Sequence, residues 1–445
     1  MRSSAAPHIL LVNPWIYDFA AYDVWAKPYG LLLLAGILRA HGFPVSYIDC
    51  LDRFHPRAGP ASPAARHGRG PYLKTQLPKP ALFADVARNY SRYGIPVQWF
   101  RDDLAATEKP DLILVTSLMT YWYPGVAAAI RELRAAFPGV PVLLGGIYAT
   151  LCPDHARQAS GADAVFTGQG VERILSLVAD YTGFSVNPRF DAANMDTWPW
   201  PALDLQSEIA YAPLLTSLGC PYACDYCASK ILQPGRRLRS PESVLEEIRH
   251  WHGRFGVRDF VFYDDALLVA ARNHAVPLLE KIISAGLPLC FHTPNAVHIR
   301  EITEETAALM ARAGFVTLRL GLETLDFNSR EMDHKLQREE FFRAAACLKN
   351  AGFDADRVGA YLLVGLPGQD LETVAADIRM VKKIGIKPIL AYYSPIPYTA
   401  IWPAAVSASR YDLNADPLYT NNSVLPCLSA FDWKTLSSLK QLAAR

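Results

Sequence analysis

Cys220-Pro221-Tyr222-Ala223-Cys224-Asp225-Tyr226-Cys227 places three cysteines within one short stretch that directly follows an apolar, β-type run at 214–218. Iron–sulfur clusters bind thiolates, and three thiolates from one tight loop can hold three irons of a cubane while the fourth stays open to an external ligand. A zinc site prefers four ligands in paired spacing, and no second pair is nearby. We therefore predict that Cys220, Cys224 and Cys227 are the catalytic metal ligands of a 4Fe-4S cluster.

Downstream of this stretch, strand patterns alternate with helical patterns. The predicted strands are 214–218, 260–263, 289–292, 317–321, 358–364 and 389–393, and the intervening helices include 241–253 and 304–313. Six such repeats predict a complete or partial (β/α)6 barrel over residues 211–403. In a β/α barrel the active site lies at the C-terminal ends of the strands, which is where the cysteines fall.

Upstream, residues 1–190 predict a separate α/β domain. Strand patterns at 8–12, 45–48, 112–116, 142–144 and 164–166 are joined by helical patterns such as 31–38 and 171–180. This order predicts a doubly wound, Rossmann-like domain with a parallel sheet. Residues 53–96 have no sustained helical or strand pattern and are predicted to form an insertion. Residues 191–210 are predicted to form a linker, and residues 404–445 a C-terminal extension that ends in a short helix at 433–442.

Composition excludes several classes of protein. The chain has 445 residues and a formal net charge of +1, so no basic field indicates a nucleic-acid partner. No apolar run reaches the roughly 18 to 20 residues that a transmembrane helix needs, and the N-terminus lacks signal-peptide features. The remaining cysteines are scattered and do not predict a disulfide framework. We expect a cytoplasmic protein without a transmembrane segment.

The cysteine spacing, with aromatic Tyr226 before the last cysteine, resembles the signature of the radical S-adenosylmethionine (SAM) superfamily over about residues 214–403. The resemblance implies that SAM chelates the open iron and that an electron from the cluster breaks its sulfonium bond to give a 5'-deoxyadenosyl radical. It also implies that Tyr226 lies beside the adenine, and that an external electron donor of flavodoxin or ferredoxin type is needed.

Other strand ends carry further candidate cofactor-binding residues. Adjacent carboxylates on an extended chain point to opposite sides, so one of Asp264 and Asp265 should face the site, where the resemblance implies contact with the SAM amino group; a helix N-cap is the alternative. Glu323 ends a run that resembles the family's GxE strand end, and a carboxylate suits ribose hydroxyls. Gly365 and Pro367 resemble the segment that packs along the adenine, although a plain strand-to-helix turn needs the same residues.

Two more motifs are less specific. The run 392–399 resembles the PxPGT segment of cobalamin-type members, with Tyr398 in place of the usual glycine. His292, Asn295 and His298 follow another strand, where structural histidines are expected and substrate contact is the alternative.

The first domain resembles cobalamin-binding domains in the order and spacing of its strand-end residues. The residues concerned are Thr116, Leu118, Thr120, Gly145, Gly146 and Gly168. The family's Asp-x-His-x-x-Gly loop after the first strand is missing, since residues 13–30 contain no histidine. The resemblance then implies a corrinoid held without a protein imidazole, its lower face meeting Tyr121, Trp122 or Tyr123. The alternative is a domain that binds no corrinoid.

The function predicted from these features is radical functionalisation of an unactivated carbon in a small-molecule or lipid-like substrate, with cobalamin-dependent methyl transfer as the leading reaction. A radical SAM enzyme without cobalamin, catalysing cyclisation, oxidation or C–C bond formation, stays open. A methylthiotransferase would need three further cysteine ligands in the first domain, where only Cys50 and Cys152 are present. A non-catalytic iron–sulfur or zinc protein is the alternative from another class.

Overall fold

A computed structural model describes residues 5–327, 332–333, 336–428 and 433–444. The chain forms two compact units. The first contains Met1–Ala210 together with Asp416–Ser423, and the second contains Tyr211–Ala415 and Val424–Arg445. A short piece of the predicted C-terminal extension thus belongs to the N-terminal unit. The functional domain boundaries given above remain predictions.

The N-terminal unit is built on a five-stranded parallel sheet. In spatial order its strands are Val45–Asp49, Ile9–Asn13, Leu112–Val115, Val142–Leu144 and Ala164–Val165. The helices of this unit are Tyr29–Ala40, Val97–Ala106, Tyr123–Ala136, Ile147–Leu151, Pro153–Ala159 and Ile174–Thr182. This is a doubly wound sheet of order 2-1-3-4-5, and its switch point lies between the first strand and the strand Leu112–Val115. The predicted fold class of this region is confirmed.

The predicted insertion contains structure that the sequence pattern did not reveal. Lys74–Leu77 and Tyr90–Tyr93 pair with Ile16–Asp18 in a small antiparallel sheet. The strand Lys74–Leu77 is largely exposed, which explains why it carries no apolar alternation.

The second unit contains a six-stranded parallel sheet whose strands follow one another in chain order. They are Ala212–Leu214, Asp259–Phe262, Cys290–His292, Phe315–Glu323, Val358–Val364 and Lys387–Tyr392. Its helices are Ser229–Leu232, Pro241–Phe255, Ala275–Ala285, Glu304–Ala313, Arg338–Asn350, Leu371–Lys383, Trp402–Ala408 and Trp433–Ala444. Each predicted strand overlaps one strand of this sheet. Parallel strands in chain order with intervening helices are typical of a β/α barrel, and the (β/α)6 barrel itself stays a prediction.

One predicted strand ends earlier than expected. The sheet strand stops at Leu214, because the backbone N–H of Thr216 donates to the carboxylate of Asp264 (3.2 Å) and not to a neighbouring strand. Ser217–Leu218 then pairs antiparallel with Arg237–Leu238. The cysteines therefore lie in the loop of a short hairpin beyond the sheet.

None of the helices in the described residues is both long and apolar enough to cross a membrane.

Candidate active site

The hairpin that carries the cysteines has a close backbone approach at its base. Gly219 has a φ of 77°, and a Cβ there would lie 2.0 Å from the carbonyl oxygen of Gly235. Its N–H donates to Oε1 of Gln233 (3.0 Å), and the N–H of Cys227 donates to the carbonyl of Cys224 (3.1 Å). Only glycine fits this position. Gly219, directly before the first cysteine, therefore allows the two arms of the hairpin to lie close together.

Cys220 lies against a histidine from a distant part of the same unit. Nε2 of His298 lies 3.5 Å from Sγ of Cys220, and the His298 ring packs on Tyr222 with centroids 4.4 Å apart. The Tyr222 hydroxyl donates to Glu301 (3.2 Å). The sequence predicts a structural role for His298, with substrate contact as the alternative, and the structure places it beside a predicted cluster ligand.

Cys224, Tyr226 and Glu323 form the second group at the loop. Burial raises the pKa of the Tyr226 hydroxyl, and the Glu323 carboxylate and a side-chain hydrogen bond with Cys224 raise it further. The same hydroxyl donates to Asp333 (3.4 Å). Glu323 ends its strand with a φ of 65°, a conformation that non-glycine residues rarely adopt. The structure therefore brings Tyr226, Glu323 and Cys224 together.

The two adjacent aspartates have different surroundings. Asp264 is buried and accepts hydrogen bonds from the hydroxyls of Thr216 (2.7 Å) and Ser217 (2.6 Å). Asp265 accepts a hydrogen bond from the hydroxyl of Ser229, whose N–H lies 3.4 Å from Sγ of Cys227. Burial raises the pKa of Asp265. Asp264 thus anchors the chain before the loop, while Asp265 lies on the side of the cysteines.

The remaining predicted residues of this unit lie in turns after their strands. Gly365 has a φ of 97°, donates its N–H to Oε1 of Gln369 (2.7 Å), and would place a Cβ 2.6 Å from Leu425. Pro367 follows in the same turn. Tyr398, which replaces the family's glycine, has a φ of 67° and a side chain that is 67% exposed. The backbone at Tyr398 therefore keeps a glycine-type conformation without glycine.

The other two candidates in this region, His292 at the end of the strand Cys290–His292 and Asn295 after it, have structural partners. His292 is fully buried and lies 2.9 Å from a carboxylate oxygen of Asp259, and Asn295 donates to the carbonyl of Tyr263 (2.8 Å).

The donor set at the loop fits an iron–sulfur cluster. None of the three cysteines forms a disulfide, Cys220 and Cys224 are partly exposed, and Cys227 is exposed. An imidazole nitrogen and a backbone N–H lie near two of the three sulfurs. Hydrogen bonds to sulfur ligands are among the features that adjust the reduction potential of a cluster.

In the N-terminal unit the predicted residues line the carboxyl ends of the parallel strands. The Ser117 hydroxyl donates to the carbonyl of Gly145 (2.6 Å), and the Ser117 carbonyl accepts from the N–H of Ile147 (2.8 Å). Gly146 has a φ of 97°, and a Cβ there would lie 2.3 Å from the Ser117 carbonyl oxygen. Ser117, which was not among the predicted binding residues, thus connects two neighbouring strand ends.

Two glycines of this edge face open space. A Cβ on Gly145 or on Gly168 would have no heavy atom within 4 Å, and the Gly168 N–H donates to Thr150 (3.0 Å). Thr116 and Leu118 are partly exposed next to them. Such a surface can accept a large flat ligand close to the backbone.

The aromatic residues expected at the lower corrinoid face are committed to protein contacts. Tyr121 is 2% exposed, Trp122 Nε1 donates to Asp18 (2.7 Å), and the Tyr123 hydroxyl donates to Asp416 (3.0 Å). Thr120 is also buried, with its hydroxyl 3.0 Å from that of Thr420.

Two family models match the chain, one in each unit. The model described as "Radical SAM superfamily" matches residues 214–381, and the model described as "B12 binding domain" matches residues 96–178. The first match includes the cysteine hairpin and four further strands, from Asp259–Phe262 to Val358–Val364. This chain is a radical SAM enzyme. The family implies a 4Fe-4S cluster and SAM as cofactors of this radical SAM enzyme.

Curated relatives include methyltransferases. The radical SAM enzyme is 26% identical over 328 residues to an uncharacterized methyltransferase of Pyrococcus horikoshii, which covers 67% of this chain and 70% of the relative. It is 29% identical over 214 residues to hopanoid C-2 methylase of Rhodopseudomonas palustris, covering 44% of this chain and 39% of the methylase. The alignment therefore spans less than half of the methylase.

The fold of the radical SAM enzyme is similar to that of TsrM from Kitasatospora setae, a radical SAM methyltransferase. One structure, with tryptophan and a SAM analogue bound, superposes with a TM-score of 0.65 at 16% identity and covers 97% of this chain and 84% of TsrM. A second, with cobalamin and a 4Fe-4S cluster bound, gives 0.61 at 17% identity and covers 90% and 75%. At these identities the likeness shows the fold.

Proposed function

We propose that this radical SAM enzyme transfers a methyl group to an unactivated carbon of a small-molecule or lipid-like substrate, with a corrinoid bound by the N-terminal unit. The observation that carries the proposal is the presence in one chain of a three-cysteine hairpin and a doubly wound sheet whose carboxyl edge ends in open glycines. The match to a B12-binding domain and the methyltransferase relatives support it.

The residues of the N-terminal unit fit a corrinoid held without a protein imidazole. Residues 13–30 contain no histidine, and Gly145 and Gly168 leave room for a flat ring at the carboxyl edge. When bound, the cluster supplies the electron that cleaves SAM, and the corrinoid supplies the methyl group. Thr116, Leu118, Gly145 and Gly168 would contact the corrinoid, while Gly146 and Thr120 would shape the backbone around it.

The residues of the second unit would position SAM. Cys220, Cys224 and Cys227 would bind three irons, and Asp265 would face the SAM amino group. Glu323 ends its strand, and its carboxylate, which can accept hydrogen bonds, would bind the ribose hydroxyls. Tyr226 lies with Cys224 and Glu323 and would pack beside the adenine, as would the turn that contains Gly365 and Pro367. Partial burial of this group would exclude water from the nucleotide.

Two further features of the reaction are also part of the proposal. Reduction of the cluster would require an external one-electron donor of flavodoxin or ferredoxin type, because each reductive cleavage of SAM consumes one electron from the cluster. The substrate would be activated by abstraction of a hydrogen atom from the carbon that is methylated, since an unactivated carbon has no acidic proton.

The proposal is tested on the full chain, purified anaerobically, reconstituted with iron and sulfide, and incubated with hydroxocobalamin. We expect cobalamin to stay bound in stoichiometric amount after gel filtration, and label from methyl-deuterated SAM to appear in protein-bound cobalamin under reducing conditions. Cobalamin that separates completely from the chain would remove the methyl-transfer proposal and leave a radical SAM enzyme without cobalamin. Deuterated label found only in unreacted SAM and methionine would have the same consequence.

A further inference from the structure

The carboxyl edge of the N-terminal sheet has one open half and one covered half. The open half lies at the later strands, where Gly145 and Gly168 face no neighbouring atoms. The covered half lies at the switch point, between the strands Ile9–Asn13 and Leu112–Val115. A doubly wound sheet binds its ligand at the switch point, outside the carboxyl ends of the strands. The segment that covers the switch point therefore lies where a ligand of this sheet is expected.

The covering segment is Asp416–Ser423, which we name the C-terminal strap. It belongs to the N-terminal unit although it is distant in sequence. Asn421 Nδ2 donates to Asp18 (2.9 Å), the last residue of the short strand Ile16–Asp18 that follows Ile9–Asn13. The Thr420 and Thr120 hydroxyls lie 3.0 Å apart, and Thr120 follows the strand Leu112–Val115. The strap thus contacts the segments that follow both strands at the switch point.

The polar groups that form these contacts are buried, and they are hydrogen-bonded to one another. Thr420 and Asn421 are 1% and 0% exposed, and Asp18 is 1% exposed. Asp18 accepts from Asn421 and Trp122, and hydrogen bonds to a buried carboxylate are stronger than those between neutral groups. Burial raises the pKa of Asp18, and these two bonds oppose that change.

Further contacts hold both ends of the strap. The Tyr123 hydroxyl donates to Asp416, and a guanidinium N–H of Arg88 donates to the carbonyl of Ser423 (3.3 Å). A segment that had to leave before a ligand entered would lose all of these bonds, together with the Asp18 contact. The strap therefore has the properties of a built-in part of the edge and not of a displaceable plug.

We propose that the C-terminal strap, through Thr420 and Asn421, forms a wall of the corrinoid site at the switch point and supports the loop that in histidine-containing domains supplies the cobalt ligand. The inference rests on the proposed function. It assigns Asn421 and Thr420 as positioning residues, because they act through Asp18 and Thr120. The corrinoid would then lie over the glycine half of the edge, with the strap beside it.

The experiment measures the affinity of the full chain for hydroxocobalamin by equilibrium dialysis, in wild type, Asn421→Ala, Thr420→Val and the control Asn414→Ala. Asn414 is exposed and lies before the strap, so its substitution removes the same amide without a strap contact. We expect about tenfold weaker binding for Asn421→Ala and a smaller loss for Thr420→Val, because each removes a side-chain contact between the strap and the rest of the N-terminal unit. The control should bind as wild type does.

Each outcome decides between explanations. Tighter binding in the strap variants would show that the strap is a plug, and unchanged affinity in both would show that it only stabilises the fold; either result overturns the proposal. Absence of binding by wild type would overturn the proposed function first. SAM cleavage and the cluster spectrum, measured on the same samples, separate loss of the corrinoid site from general unfolding, and Thr420→Val keeps the test valid should Asn421→Ala fail to fold.

Discussion

The two candidate sites of this radical SAM enzyme are built from contacts of very different range. The cluster ligands lie within eight consecutive residues of one hairpin, Cys220 to Cys227. The covered half of the N-terminal edge joins residues that are 300 positions apart, as in Thr120 and Thr420, or 403 positions apart, as in Asp18 and Asn421. A local loop needs little chain entropy to close, whereas the strap contacts form only after most of the chain has folded.

This difference predicts separable effects of mutation. Changes in the hairpin should remove cluster chemistry and leave the N-terminal unit folded, and changes at the edge should affect corrinoid binding and leave the cluster in place. Energetic effects at sites without shared partners are usually additive.

The largest effect is expected from Cys224→Ala. Removing one of three thiolates leaves the cluster with two protein ligands from the hairpin, so we expect iron content and visible absorbance to fall sharply and SAM cleavage to drop below detection. Cys290→Ala is the matched control, because Cys290 lies at the start of a sheet strand outside the hairpin. Full cluster absorbance in Cys224→Ala, or its loss in Cys290→Ala, would contradict the assignment of the ligands.

At the N-terminal edge, Gly146→Ala should destabilise the unit by about 3 kcal/mol, since a φ of 97° with a ψ of −165° is a conformation that only glycine adopts readily. The new Cβ would also collide with the Ser117 carbonyl. Gly145→Ala is the control, since space is available there, and its unfolding free energy in urea should stay close to that of wild type. Equal unfolding free energies of Gly146→Ala and Gly145→Ala would contradict the described backbone conformation at Gly146.

The range of the contacts also explains how much could be predicted from the sequence. The cysteine spacing and six apolar runs were sufficient for the cluster hairpin and the second sheet, because each of these signals is local. The strands of the insertion escaped prediction, since Lys74–Leu77 is exposed and has no alternating pattern. The strap escaped it as well: Asn421 and Thr420 have no motif, and only the tertiary structure shows that they contact Asp18 and Thr120.

The aromatic stretch 121–123 shows a further contribution that only the tertiary structure reveals. Tyr121, Trp122 and Tyr123 follow a strand end, where ligand contact is a reasonable expectation. The structure uses them for the core and for bonds to Asp18 and Asp416, because buried aromatic hydroxyl and indole groups require polar partners.

A smaller effect on the unfolding free energy is expected at Asp49, and this effect depends on pH. Burial, followed by the charge of Asp52, raises the pKa of Asp49 to about 6. The folded chain therefore binds this proton more tightly than the unfolded chain does, and the contribution of Asp49 to stability is lost as the pH rises from about 4 to about 6. We expect Asp49→Asn to remove this dependence, so that the unfolding free energy of the variant gains about 2 kcal/mol relative to wild type between pH 4 and pH 7.

Urea denaturation of both proteins across that range checks the prediction. The hydrogen bond from Asn13 (2.7 Å) can be kept by an asparagine oxygen at position 49, so the substitution changes the charge with little change in shape. Parallel pH profiles for wild type and variant would show that Asp49 does not titrate in the folded chain as described.

The smallest effect concerns a long-range contact between His298 and the cluster hairpin. His298 lies 78 positions from Cys220, and a hydrogen on Nε2 would point at Sγ across 3.5 Å. A hydrogen bond to the sulfur stabilises the reduced, more negative cluster, so His298→Phe should lower the midpoint potential. We expect the one-electron reduction equilibrium to fall about tenfold, which corresponds to ~59 mV. Redox titration followed by electron paramagnetic resonance measures the change. His298→Gln retains a donor and should recover part of the potential, whereas a merely structural histidine would leave the potential of both variants unchanged while reducing their stability.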